Sequence, residues 1–476
     1  QLAHGTPDAG TALATVAADA KAPGVAFLFT GQGAQYHRMG QALHASQPVF
    51  REAIDACAAH LDPLMDVPLV SLLYAEETDD TRGRLHQTRY TQPALFAVGY
   101  ALARLWQSWG VEPAAVVGHS IGEVAAMCVA GGVSLADAAR LVEARGRLMQ
   151  ALPAGGVMVS VAAPESLVRD VMTGAGDGVA IAGVNSPGQT VISGERAAVD
   201  ATVVALTAAG IRTRALTVSH AFHSPLMRPM LDEFASVLAS VTFTTPTIPI
   251  VGCADGLFAA EAMTTPAYWL RQILEPVRFL QAMHTLRDAG IGAYVEIGPQ
   301  PVLIGLGRQC LADATPATWA ASIKRDADDR ETSLGGAAQL HLAGVPLDWT
   351  LLVAPARPSL VSLPRYAFDT RAHWVERPLV GAGVQAPDRR TSDVGVYGLD
   401  WIPTAAPESV VAAGGSWIVL ASQAAIGQSL VSALEATGDA CVVVAPDVPL
   451  DTSALVSLLA THAPVRGIIH ARGLDA

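Results

Sequence analysis

The stretch Ala114-Ala-Val-Val-Gly-His-Ser-Ile-Gly-Glu-Val-Ala-Ala-Met127 decides the fold. Its first four residues are a short, uniformly apolar run closed by Gly118, which predicts a strand buried on both faces. A helix pattern follows Gly122. Between them, Gly118-His-Ser-Ile-Gly122 has the G-x-S-x-G form in the strand–turn–helix context the motif requires. Glycine on both sides permits a sharp elbow that lifts Ser120 Oγ into solvent at a helix N-terminus. There the helix dipole and the N–H of Ile121 can stabilise an oxyanion.

Upstream, residues 25–29 (Val-Ala-Phe-Leu-Phe) form a second buried strand, and residues 92–109 form a helix carrying Leu95, Val98, Leu102, Leu105 and Trp106 at helical spacing, stopped by Gly110. Between 155 and 220 the pattern changes. It predicts strand 157–161, helix 164–172, strands 179–183 and 190–193, helix 195–209 and strand 212–218. This β-α-β-β-α-β order is the ferredoxin-like arrangement. Set inside a larger α/β pattern, which resumes with helix 224–238 and ends near Gly344, it predicts a lid-like subdomain beside a large one with a cleft between them. Residues 1–24, rich in Ala, Gly and Thr, read as a leader or linker, 25–345 as the main domain, and 346–396 as a proline-punctuated linker. In the last unit, 397–476, strands 417–421, 441–445 and 465–470 alternate with helices 426–435 and 453–462, which predicts a parallel, Rossmann-like partial domain. Its first turn, Ser422-Gln-Ala-Ala-Ile-Gly427, has one glycine, too few for a backbone to approach a pyrophosphate, so this sheet reads as structural.

The chain has 476 residues, 51% hydrophobic and 15% charged, with 30 Lys and Arg against 43 Asp and Glu for a formal charge of −13. At ~150 residues per domain the length suggests about three units. The apolar share supports a large core and excludes disorder throughout. The acidity excludes a duplex nucleic-acid binder, which needs basic residues to neutralise phosphates. No apolar run reaches the ~18 residues of a membrane span. Five cysteines (Cys57, Cys128, Cys253, Cys310, Cys441), odd in number and without C-x-x-C, argue against a disulfide scaffold and a metal site and fit a reduced, cytoplasmic setting. Gln1 is followed by no basic-then-apolar leader, so no secretory signal is expected, and the chain reads as a fragment of something longer.

A serine nucleophile needs a base. His220-Ala-Phe-His223 supplies two imidazoles where a predicted strand runs into a proline-punctuated turn, at the edge of the subdomain that would face the elbow. His37, His44, His60 and His86 read as surface residues. Gly31-Gln-Gly-Ala-Gln35, after the first strand, can turn a backbone N–H into the cleft as a second oxyanion donor. Arg145 lies mid-helix in Arg140-Leu-Val-Glu-Ala-Arg-Gly-Arg147. On a solvated face it would be unremarked; facing the cleft it would clamp a carboxylate.

Together, in this order from about Val25 to Trp374, these motifs resemble the malonyl/acyl-CoA:acyl-carrier-protein transacylases, specifically the acyltransferase domain of a modular (type I) polyketide synthase. The resemblance implies an α/β, hydrolase-like large subdomain with a ferredoxin-like insertion. It implies that Ser120 is the nucleophile with His119 beside it at the substrate, that His223 is the base, and that the N–H groups of Gln32 and Ile121 form the oxyanion hole. Arg145 would bind the free carboxylate of the extender unit. A backbone carbonyl at Gln272, in Trp269-Leu-Arg-Gln-Ile-Leu-Glu-Pro-Val277, would orient the base; asparagine is more usual there. The motif His220-Ala-Phe-His223 implies malonyl selection, with His220 and Phe222 at the substrate and Phe222 filling the space of a 2-methyl group, where methylmalonyl types tend to read Tyr-Ala-Ser-His. Thr91-Gln-Pro-Ala94 and Ile121 point the same way. Rejecting one methyl group gains only ~1–3 kcal/mol, whereas a buried charge left unpaired costs ~3–5 kcal/mol. Acetyl-CoA is therefore expected to be discriminated more sharply than methylmalonyl-CoA.

By the same resemblance, Leu363-Pro-Arg-Tyr-Ala-Phe368 through Trp374 looks like the linker that follows such domains. The unit opening Val396-Tyr-Gly-Leu-Asp-Trp401 looks like the structural half of a ketoreductase, truncated before its catalytic half. Arg377-Pro-Leu-Val-Gly381 has a faint likeness to the start of a dehydratase, without the initial His. The activity implied is ping-pong transfer from malonyl-CoA, through Ser120, to the phosphopantetheine of an acyl carrier protein. No cofactor is expected in this chain, and no nucleic-acid or membrane partner; a ketosynthase would lie upstream and the ketoreductase catalytic half downstream. The other enzymatic reading is an α/β serine thioesterase or esterase, against which stand Arg145 and the lack of an obvious acidic residue between Ser120 and His223. A non-catalytic docking scaffold would not need Ser120, His223 and Arg145 intact. Attraction of an acidic carrier or of CoA phosphates to a chain of charge −13 requires a local basic patch, for which Arg278, Arg287, Arg308, Lys324 and Arg325 are the candidates.

Overall fold

The computed structural model describes residues 22–353 and 415–471, apart from 77, 79–82, 174–177, 314–316, 422–424, 446–447 and 449. The chain divides between Arg365 and Tyr366 into two units, inside the stretch expected as linker. Residues 1–21 of the expected leader, 354–396 of the expected linker and 397–414 of the expected last unit, with the motifs at 363–374, 377–381 and 396–401, lie outside the described residues.

In the first unit the strands are β1 (Gly24–Phe29), β2 (Ala115–Gly118), β3 (Gly156–Val161), β4 (Val179–Ser186), β5 (Gln189–Glu195), β6 (Thr213–Ala215), β7 (Ile250–Val251), β8 (Ile291–Ile297) and β9 (Thr318–Ala321). Five of them form a parallel sheet in the order β7-β2-β1-β8-β9. In β1, Val25, Phe27 and Phe29 enter one core while Ala26 and Leu28 enter the other. A strand with both faces buried must be apolar throughout, which is why no alternation marks it in the sequence. The helix Thr88–Ser108 covers the first face with most of its residues buried, starting one turn before the predicted position.

The other four strands form an antiparallel sheet in the order β4-β5-β3-β6, with helices Glu165–Met172 and Arg196–Ala208 in the predicted β-α-β-β-α-β sequence. Its two faces differ. Val159 and Val161 join Val168, Ile192, Val199 and Leu206 in a separate small core, whereas Met158 and Ser160 face a cavity shared with the large sheet. Two predicted elements are shorter than expected. Strand 212–218 ends at Ala215, and Thr217 and Val218 leave the sheet to line that cavity. Of helix 224–238 only Leu231–Leu238 is α-helical; Pro225–Met230 is a 3₁₀ turn, because Pro229 has no N–H for an α-helical bond.

The second unit has β10 (Ser416–Leu420), β11 (Ala440–Val444) and β12 (Val465–His470), all parallel, with helices Ala425–Glu435 and Thr452–Thr461. The order β11-β10-β12 puts the first strand between the second and third. That is the 2-1-3 start of flavodoxin-like sheets, not the 3-2-1 order of a dinucleotide-binding half, and it corrects the Rossmann-like expectation at the level of strand order. Among the described residues, no helix is long and apolar enough to cross a membrane.

Candidate active site

The serine elbow is built by close approach of backbones. His119 N–H donates to Phe29 O (2.9 Å), pinning the end of β2 to β1, and Gly122 and Glu123 N–H close the turn onto His119 O and Ser120 O. A Cβ on Gly118 would stand 2.1 Å from Glu123 N, and one on Gly122 would stand 2.3 Å from Phe29 O, so both positions require glycine. Ser120 takes the left-handed conformation, φ +53°, at the foot of helix Gly122–Val129.

His223 also takes a left-handed conformation, φ +55°, and its Nε2 lies 2.7 Å from Ser120 Oγ. Its Nδ1 lies 2.8 Å from the backbone carbonyl of Glu275. Helix Pro266–Leu274 ends there, since Pro276 keeps Glu275 extended (φ −80°, ψ 154°). Carbonyls at a helix C-terminus lack helical partners and carry the negative end of the dipole. A carbonyl can only accept, so Nδ1 carries the proton and Nε2 is free to take one from serine. Burial, reinforced by Arg145 and His119, holds the imidazole down to about 3, and the base is neutral at pH 7.

Arg145 lies on helix Leu135–Ala151, capped by Ser134, and is 3% exposed. Its Nη1 donates to Gln92 Oε1 (2.9 Å); its Nη2 donates to Ser120 Oγ (3.2 Å) and Gln272 Oε1 (3.3 Å). Nε has no partner, and among the described residues the guanidinium's hydrogen bonds go to neutral groups, not to a carboxylate. Burial lowers it to about 10, which leaves it charged at pH 7. Its direct acceptors are all neutral and the Glu123 carboxyl acts on it only at longer range, so the buried cation keeps hydrogen-bonding capacity for an anion.

These groups open into a cavity of about 610 Å³. Gln32 and Ile121 line it, and neither backbone N–H has an acceptor among the described residues. The Gly31-Gln-Gly loop reaches the elbow because Gly31 has no side chain: a Cβ would stand 2.7 Å from His119 O. Gln35 holds the loop by accepting from Gly33 N–H (2.7 Å). His119 lines the cavity with Nε2 3.0 Å from Asn185 Oδ1, and Phe222 lines it beside Met158 and Val191.

Three expectations are corrected. The base-orienting hydrogen bond goes to the carbonyl of Glu275; the carbonyl of Gln272 acts on the ring in the same sense, but the Gln272 side chain faces Ser120 and Arg145 instead. His220 is not at the substrate cavity. It bonds to Leu152 O and Ser219 Oγ (2.9 Å each) and borders a separate cavity of about 420 Å³, tying the end of the insertion to its beginning. The proposed basic patch does not gather: Arg278 pairs with Glu165 and Arg287 with Asp288, while Lys324 and Arg325 share another pocket with Asp326, Asp328 and Asp329. Three contributors have no assigned contact in the sequence reading: Gln92, Asn185 and Glu275. Gln92 carried a signal, a polar residue on the buried stripe of a helix. A carbonyl such as that of Glu275 leaves none, because every residue has one.

Residues 26–346 match the acyl transferase domain family. Polyketide synthase GfsA of Streptomyces halstedii is 42% identical over 383 residues, which are 76% of this chain but 5% of that synthase, so the chain spans a small part of its relative's length. The acyltransferase domain from the second module of the salinomycin polyketide synthase superposes with a TM-score of 0.70 at 41% identity, covering 77% of this chain and 84% of that one. The malonyl-CoA:acyl carrier protein transacylase of Xanthomonas oryzae gives 0.58 at 33% identity, covering 63% and 95%. The matched region contains the whole serine–histidine–arginine constellation, and the chain belongs to the acyl transferase domain family, homologous to the acyltransferase domains of polyketide synthases.

Proposed function

We propose that this chain transfers a malonyl unit from malonyl-CoA to the phosphopantetheine thiol of an acyl carrier protein in polyketide biosynthesis. The observation that carries the reading is Arg145: a buried guanidinium 3.2 Å from the nucleophilic Ser120 Oγ, held by neutral groups only. That is where the distal carboxylate of a short acyl group on the serine would lie, and there a bidentate pair is strong. His223 Nε2 takes the Ser120 proton as Oγ attacks the thioester carbon. The oxyanion accepts from the N–H groups of Gln32 and Ile121. As the intermediate collapses, the C–S bond breaks and the imidazolium returns its proton to the CoA thiolate. The carrier thiol then gives its proton to His223 and attacks the malonyl ester; collapse breaks the ester bond and returns the proton to Ser120. Phe222 at the cavity wall supports malonyl over methylmalonyl.

A base held by a backbone carbonyl, with no carboxylate on its ring, speaks against the serine-hydrolase reading. The small antiparallel sheet reads as a ferredoxin-like insertion. The second unit reads as the structural half of a ketoreductase, and a ketosynthase upstream in the same polypeptide would complete the neighbourhood. Ser120→Ala is expected to abolish the malonyl adduct in intact-mass spectrometry; full labelling of the variant overturns the assignment. Arg145→Ala should cut malonyl loading by about 10²–10⁴-fold, from the ~3–5 kcal/mol lost when a buried charge loses its partner, and acetyl loading far less. Equal losses would remove Arg145 from the carboxylate role. Free malonate in place of carrier-bound malonate would mark a hydrolase.

A further inference from the structure

The side-chain amide of Gln272 stands behind the reacting groups, 1% exposed, on helix Pro266–Leu274. Its Nε2 donates to the backbone carbonyl of Ser120 (2.9 Å), and its Oε1 accepts from Arg145 Nη2 (3.3 Å). A primary amide donates at one end and accepts at the other, so it can bridge a carbonyl and a guanidinium at once.

The amide is itself braced. Cys253 Sγ lies 3.7 Å from Gln272 Nε2. Cys253 donates to the Glu123 carboxylate through both its backbone N–H (2.6 Å) and its thiol (3.1 Å). Tyr268, on the same helix as Gln272, donates to Glu123 Oε1 (2.7 Å). Glu123 is fully buried and directly follows the second glycine of the elbow. The brace therefore runs from the elbow through Glu123 and Cys253 to Gln272, and back to Ser120 and Arg145. It leaves the guanidinium few alternatives, because the side chain that contacts it from this direction is neutral and fixed.

We infer that Gln272 is a positioning residue whose side-chain amide sets the place of the Arg145 guanidinium relative to Ser120, and that it thereby enforces the choice of an acyl group carrying a distal carboxylate. This rests on the reading of Arg145 as the carboxylate anchor. The role differs from orienting His223, which depends on backbone carbonyls and not on this side chain.

The test compares Gln272→Met, which keeps the volume and loses both hydrogen bonds, with Gln272→Glu, which keeps the shape and places a carboxylate against Arg145. The readouts are KM and kcat for malonyl-CoA and the single-turnover acylation of Ser120 by malonyl-CoA and by acetyl-CoA. For Gln272→Met, KM for malonyl-CoA should rise at least tenfold with a smaller change in kcat, and the malonyl-to-acetyl ratio should fall at least tenfold. Gln272→Glu should cost malonyl acylation about 100-fold or more, since its own carboxylate competes for the guanidinium, while acetyl acylation stays closer to the parent. If either variant fails to fold, judged by its thermal melt, the other carries the test. Parallel losses of malonyl and acetyl acylation, or no loss, overturn the inference. Arg145→Ala run alongside separates the two levels. If that variant loses malonyl preference while Gln272→Met keeps it, only this inference fails. If Arg145→Ala keeps the preference, the anchor reading itself fails.

Discussion

At the scale of single residues, Ser120 and His223 both occupy left-handed backbone (φ +53° and +55°), a conformation that costs a non-glycine residue ~1–2 kcal/mol. Both are held there by hydrogen bonds from neighbouring elements, and the conformation aims their side chains at each other across 2.7 Å. The protonation state follows from burial. His223 is held down to about 3, below the ordinary value of 6.5, so its acceptor nitrogen stays free as the pH falls from 7 to 5. Protonation would remove that acceptor, so activity is lost on the acid side, and only far below 6.5. The acid limb of kcat/KM for acylation should therefore lie below pH 5; a limb centred near 6.5 would show an exposed, unperturbed imidazole. His223→Ala should slow acylation by ~10²–10⁴-fold, the usual range for general-base loss. Single-turnover kinetics with malonyl-CoA checks both. The sequence made Ser120 legible because G-x-S-x-G demands a stated context on either side. Read as residues alone, His220 and His223 were equivalent; the family resemblance pointed to His223, and the hydrogen bonds to Leu152 and Glu275 separate the two roles.

At the scale of elements, the elbow depends on the crossing of β1 and β2 with the following helix. Gly122→Ala forces a Cβ against Phe29 O at 2.3 Å, where neither backbone can yield. Overpacking of this kind costs ~1–3 kcal/mol, and for a domain this size the melting temperature should fall by about 1–5 °C, with acylation largely lost. Gly188→Ala, at a tight turn where an added Cβ meets nothing within 4 Å, should leave both unchanged. Circular dichroism melts and intact-mass labelling of the pair separate a general effect of glycine replacement from the crossing. Elements with strong periodicity or apolar runs were legible to within a turn, as with β1, β2 and the helix from Thr88. Elements limited by proline were less so: Pro229 divides the helix read over 224–238, and Pro276 ends the helix whose last carbonyl orients the base.

At the scale of the whole molecule, the described residues lining the 610 Å³ cavity belong to the first unit, and the second unit has its own small cores around Ile418 and Val419. Removing residues 415–476 should therefore leave Ser120 acylation by malonyl-CoA within about twofold; a large loss would show that the second unit supports the site. The net charge of −13 and the dispersal of the expected basic patch follow one pattern, since arginines such as Arg278 and Arg287 are committed to nearby acids. By itself the sequence determined the α/β alternation, the inserted β-α-β-β-α-β segment and the identity of the reacting serine, because these depend on local periodicity and on glycines that only one turn geometry explains. Tertiary structure alone decided which carbonyl orients His223, that His220 stands away from the substrate cavity and where the Gln272 amide points. Those facts arise where residues more than 50 positions apart meet, and a backbone carbonyl carries no mark in the amino-acid code.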